Sequence, residues 1–195
     1  MKKVIFGLIA TVLFSINSTG QTTKESWLKM IENHKENVDR ILNSEKPKDI
    51  DLKKFKEQIV LGERKLSEKS NNEIIKSSIP LKTYASEFTR KNNILVESDD
   101  ELIFYAGFYP DFPINDDLNE ALGGPGLTAD EVWDCAVEAV GLGFVTAIGA
   151  AGIKATGIKV FTKAITKFIT KFAGPIGAAI TVADFGFCLY GQSLD

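Results

Sequence analysis

From Ala139 to Ala183 the chain runs 45 residues without one aspartate or glutamate and carries five lysines among Gly, Ala, Ile, Val, Phe and Thr. A solvated helical surface normally interleaves both signs of charge, so an apolar and purely cationic block has two outlets. It packs as a tight helical core, or it meets an anionic, apolar surface such as a bacterial-type membrane. The asymmetry is local. Residues 21–124 hold 16 basic and 20 acidic side chains and residues 125–195 hold 5 and 6, all six acids of the latter flanking the acid-free centre. Between them Leu122-Gly123-Gly124-Pro125-Gly126 is a breaker cluster and predicts a linker. The division is therefore an acidic region over 21–124 and a cationic, apolar module over 125–195.

Residues 1–20 read as a secretory signal peptide. Met1-Lys2-Lys3 precedes the apolar run Val4 to Phe14, and Ser15, Asn17, Ser18, Thr19 and Gly20 then turn small and polar, placing the cut between Gly20 and Gln21. The apolar run is far shorter than the roughly 20 residues that span a hydrocarbon core. The mature chain is expected outside the cytoplasm, extracellular or periplasmic. In that setting the two cysteines, Cys135 and Cys188, predict one disulfide. Closing some fifty residues, it is worth on the order of 4 kcal/mol in the loop-entropy model. After the cut 21 Lys+Arg face 26 Asp+Glu, which excludes a strongly basic nucleic-acid binder.

Apolar spacing predicts an all-α fold: a charged helical N-terminal half, followed by a Gly/Ala-rich helical hairpin or three-helix module closed by the disulfide. Thr22-x-x-Glu25 matches a capping box, after which Trp27, Ile31, Val38 and Leu42 share one helical face. A second run carries Leu52, Phe55, Ile59, Val60 and Leu66, and Ile79-Pro80 interrupts any single long helix. Ser98-x-x-Glu101 predicts a capped apolar helix ending before Pro110, although Ile94 to Val96 and Glu101 to Tyr109 also suit a short hairpin.

In the second half Thr128-x-x-Glu131 predicts a helix from about Ala129 that carries Trp133 and Cys135. Gly143, Ala147 and Ala151 recur every four residues, a spacing that lets helix backbones approach closely. At 100° per residue, Lys159, Lys163, Lys167 and Lys171 with Thr162, Thr166 and Thr170 fill one side of the helix over 157–172. Phe161, Ile165, Phe168 and Phe172, with Ile158, fill the other. Gly174-Pro175 breaks or kinks the path before a last apolar helix, Ile176 to Tyr190.

Catalytic constellations are missing. The single histidine, His34, sits in a charged helix and is expected to face solvent. With no second histidine and the cysteines paired, a Cys/His hydrolase or zinc site lacks its parts. The chain contains no Walker loop, dinucleotide fingerprint or nucleophile elbow. Asp111, Asn115, Asp116, Asp117, Asn119 and Glu120 lack EF-hand spacing and read as a solvated loop. No catalytic residue, metal ligand or cofactor is expected.

From Gly123 to Tyr190 the chain resembles bacteriocin-like secreted antimicrobial peptides: Gly/Ala-rich, acid-free at the centre, with small residues every four positions, a Lys/Phe/Ile amphipathic helix and two framing cysteines. The resemblance is compositional and covers the last third of the chain. It implies a membrane-active toxin precursor whose partners are an anionic bacterial membrane or an envelope receptor, an activating protease and an immunity protein. Gly123-Gly124 looks like the double-glycine cut of some such precursors, and Arg40, Arg64 and Arg90, the last followed by Lys91 in a polar stretch, are alternative sites for a trypsin-like or clostripain-like protease. A double-glycine leader normally serves a dedicated exporter, whereas this chain begins with a general signal peptide. The lysines 159, 163, 167 and 171 and the Phe/Ile face opposite would then make the membrane contact. The alternative is a non-toxic secreted or envelope-associated helical binding protein stapled by the same disulfide.

Overall fold

The computed structural model describes residues 22–112, 129–141 and 158–192. Within them all regular structure is α-helical: α1 (Lys24–Glu45), α2 (Leu52–Val60), α3 (Glu68–Ser77), α4 (Ile79–Lys91), α5 (Asp99–Tyr105), α6 (Ala129–Val140) and α7 (Ile158–Gln192). The hairpin weighed for residues 94–109 does not form, because Ser98 caps α5 instead, its Oγ accepting from the Glu101 N–H at 3.2 Å. The Glu101 carboxylate in turn accepts from the Glu97 N–H at 2.9 Å. The first bond satisfies an N–H group that a helix start leaves open, and the second ties the preceding residue to the same turn.

The other starts follow the same logic. At α1 the cap is Thr23, one residue later than the expected Thr22, and Ser26 rather than Glu25 closes the box by accepting from the Thr23 N–H at 3.0 Å. Asp51 caps α2 and Ser67 caps α3. The Glu45 carboxylate at the end of α1 accepts from the Ser67 N–H and from both Ser67 and Ser70 hydroxyls, so an anion sits on the first turn of α3. Pro80 lies in the first turn of α4, where its missing N–H costs nothing. Leu66, expected on the second helix, is buried from the α2–α3 connection. At Gly174 the backbone takes φ 61° and ψ −156°, dividing α7 into two arms, with Pro175 opening the second.

That second arm is the hub. Helix α7 packs against α1, α2, α3, α5 and α6. Its small residues Gly177, Ala178, Ala179 and Ala183 are buried, and they let neighbouring helices close onto its backbone. At Gly186 a Cβ would stand 3.2 Å from the Gly107 carbonyl oxygen and 3.3 Å from the Trp27 ring. Around this crossing Phe185 stacks on Phe104 at 4.7 Å and meets Phe108 edge-on at 5.4 Å. Each such fully buried ring is worth about 1.5–3 kcal/mol by area alone. Trp27 Nε1 donates to the Ala106 carbonyl at 2.9 Å and Tyr84 Oη to that of Phe108 at 2.6 Å, so the polar tips satisfy the frayed end of α5. The linker at 122–126 lies outside the described residues; the described residues on either side of it contribute to one hydrophobic core.

Candidate functional site

Cys135 on α6 and Cys188 on the second arm of α7 are bonded, with Cα atoms 5.3 Å apart. A strict up-down-up bundle would place them about 25 Å apart, at 1.5 Å per residue. The helices therefore do not follow that path. Gly20, Gly124, Gly143, Ala147 and Ala151 lie outside the described residues. Arg90 is exposed in the last turn of α4, and its carbonyl accepts from the Asn93 N–H at 3.3 Å. A protease must open that turn, whereas residues 95–97 just beyond it belong to no helix.

The first arm of α7 carries the lysine stripe. Lys167 and Lys171 are exposed. Lys163 is half-exposed and forms an ion pair with Glu97, which lies 66 residues earlier, ahead of α5. Hydrogen bonding and attraction from Lys163 hold the Glu97 carboxyl below its ordinary range. The acidic partner of Lys163 thus comes from outside its own acid-free stretch. Ile165 and Ile169 are buried in the core, and Thr166, expected on the polar side, is buried with them. The buried face is therefore wider than the 100° projection implies, and in this state Ile165 meets protein rather than any outer surface. Lys159, Phe161, Phe168 and Phe172 are positions on this arm whose side chains lie outside the described residues.

A second constellation fixes the other arm, and the sequence did not single it out. His34 of α1 is buried, with 2 % of its surface exposed, against the expectation that it faces solvent. Its Nε2 lies 2.6 Å from the Ala179 carbonyl oxygen and its Nδ1 2.9 Å from Ser77 Oγ at the end of α3. A carbonyl only accepts, so Nε2 carries the hydrogen and the neutral Nδ1 accepts from the Ser77 hydroxyl. Burial pushes the imidazole pKa below its ordinary value, outweighing hydrogen bonding to the backbone at Ala179 and Ser77 and the attraction of Asp184. One turn further along α7, Asp184 is ion-paired with Lys35 of α1 and, at 2.8 Å, with Lys56 of α2. Asp39 joins the same network, 2.6 Å from Lys56 and 3.4 Å from Lys35. A cleft of about 530 Å³ opens beside it, lined by Lys35, Asp39, Lys56, Glu138, Asp184 and Phe187.

Both signals were present in the sequence. His34 falls three residues after Ile31 and four before Val38, on the apolar face of α1, and Asp184 is the one charged residue in the second arm of α7. What such an arrangement does is hold: carboxylates and ammonium groups neutralise each other. Among the described residues no group of three His, Cys, Asp or Glu side chains is placed to hold a metal ion. Comparisons of the chain with family models, with curated proteins and with solved structures find no match.

Proposed function

We propose that the chain is a secreted, bacteriocin-like membrane-active protein whose helices α1 to α4 keep an apolar helix covered until it is released. One observation carries this. Ala173–Gln192 is 20 residues long and apolar enough to cross a membrane, yet more than half of that stretch is buried within the protein. Directly ahead of it in sequence stands the arm bearing Lys163, Lys167 and Lys171. Lysines near an anionic leaflet contribute about 1 kcal/mol each, so this arm is suited to adsorption and the following one to insertion. Asp184 is the obstacle to insertion, and Lys35 and Lys56 neutralise it in the packed state.

Cleavage after α4 is the release step that fits this geometry. Both cysteines follow Arg90, so a cut there or at residues 95–97 leaves no disulfide between the pieces. Non-covalent contacts alone would then hold them together: the shared core, the His34–Ala179 hydrogen bond and the ion pairs of Asp184. Dye leakage from phosphatidylglycerol vesicles tests the proposal, using the chain from Gln21 before and after limited proteolysis in 90–98. Leakage should rise after the cut. A chain inert in both forms would give the lead to the second reading, an envelope-associated helical binding protein. That reading is favoured by the depth at which Trp27, Phe104 and Phe108 pack on α7.

A further inference from the structure

We infer that His34 and Asp184 form an acid-sensitive clasp that fastens the second arm of α7 to α1, α2 and α3 and releases it when they are protonated. The two groups hold that arm at points five residues apart, Ala179 and Asp184. The surroundings decide what protonation does. Helix α1 presents Lys35 and Asp39 to the site, α2 presents Lys53 and Lys56, α3 presents the uncharged Ser77, and α6 presents Glu138. Helix α5 meets α7 on another side through the rings of Phe104 and Phe108. The acid nearest the imidazole, Asp184, is already shared by two ammonium groups, so a new cation on His34 has no carboxylate of its own. Protonated Asp184, in turn, strands Lys35 and Lys56 with Asp39 alone. An uncompensated buried charge is strongly destabilising, and hydration in an opened state relieves it.

The sign is the same for both groups. With the folded pKa of His34 depressed by burial, the opened state binds the extra proton first. The clasp is therefore intact above about pH 6.5, the ordinary histidine value, and weakens as pH falls below it. The carboxylate contribution is lost at more acid pH. The Ser77 hydroxyl does not oppose the change, since it can turn to the Ile74 carbonyl 2.8 Å away. The clasp rests on the membrane reading only for what the freed arm does next.

Trp27 is a built-in reporter, being fully buried and in contact with α7 at Gly186 and Tyr190. The test uses the oxidised chain from Gln21 with Trp133→Phe, so that Trp27 alone fluoresces. Its acrylamide quenching is followed from pH 7.5 to 4.5 beside far-ultraviolet circular dichroism. Quenching should rise severalfold below pH 6.5 while helix content is kept. His34→Gln retains a donor for Ala179 and an acceptor for Ser77 but takes up no proton in this range, so its midpoint should fall below the titrated range, leaving only the carboxylate step at more acid pH. Asp184→Asn should raise the midpoint. An unmoved midpoint in either variant, or loss of helix in the same step, overturns the clasp. Should His34→Gln fail to fold, NMR titration of the single histidine replaces it, and an imidazole that titrates while Trp27 stays unquenched overturns the clasp equally. Adding phosphatidylglycerol vesicles separates the two claims: acid release without dye leakage supports the clasp and sinks the membrane reading.

Discussion

Gly107 and Phe185 show how narrow the tolerance is at the centre of the molecule. A Cβ on Gly107 would lie 2.6 Å from Phe185 Cδ1, and that ring has no room to turn aside because Phe104 stacks on it and Phe108 closes its edge. Gly107→Ala is therefore expected to lower stability by about 1–3 kcal/mol, the range for overpacking a filled core. Urea denaturation checks this, and the slope of the transition should stay unchanged. At other residues the sequence spoke plainly. Trp27, Ile31, Val38 and Leu42 are all buried, as their spacing requires. His34 lies on that same face, and its chemical character concealed what its position disclosed.

Helices were legible wherever start signals and periodicity agreed. Ser98 at α5, Ile79-Pro80 between α3 and α4, and Gly174-Pro175 within α7 all mark true boundaries. The first arm of α7 was harder, because a helical wheel gives the angle of each side chain and not the width of the face that becomes covered. Its lysines nevertheless point to a concrete outcome. Replacing Lys159, Lys163, Lys167 and Lys171 by Glu should abolish binding to phosphatidylglycerol vesicles in a cosedimentation assay, with helix content nearly unchanged. Salt should imitate part of the loss, since exposed charges are screened beyond about 8 Å at physiological ionic strength. In that variant position 163 also faces Glu97, so its effect contains a local repulsion as well as the lost attraction to lipid.

For the whole molecule, the Cys135–Cys188 bond spans 53 residues and ties α6 to the hub helix. Reduction is expected to cost on the order of 4 kcal/mol if the loop-entropy account holds. Urea denaturation with and without a thiol reductant measures it. Because neither cysteine lies in α1 to α5, the reduced chain should lose its hold on α6 before the packing of Trp27 and Phe104 on α7 fails. Hydrogen exchange resolved by helix would show that order.

By itself the sequence determined the helical class, several helix boundaries, the cysteine pair and the faces that α1 and α2 bury. These depend on interactions within a few residues or on the count of a reactive side chain. Only the tertiary structure decided that the apolar helix of the acid-poor half is the hub for the acidic half, that Glu97 answers Lys163, and that His34, Lys35 and Lys56 converge on Ala179 and Asp184. Such contacts join residues 66 to 149 positions apart. No local pattern carries them, because they arise when chain entropy is given up to bury several amphipathic faces at once.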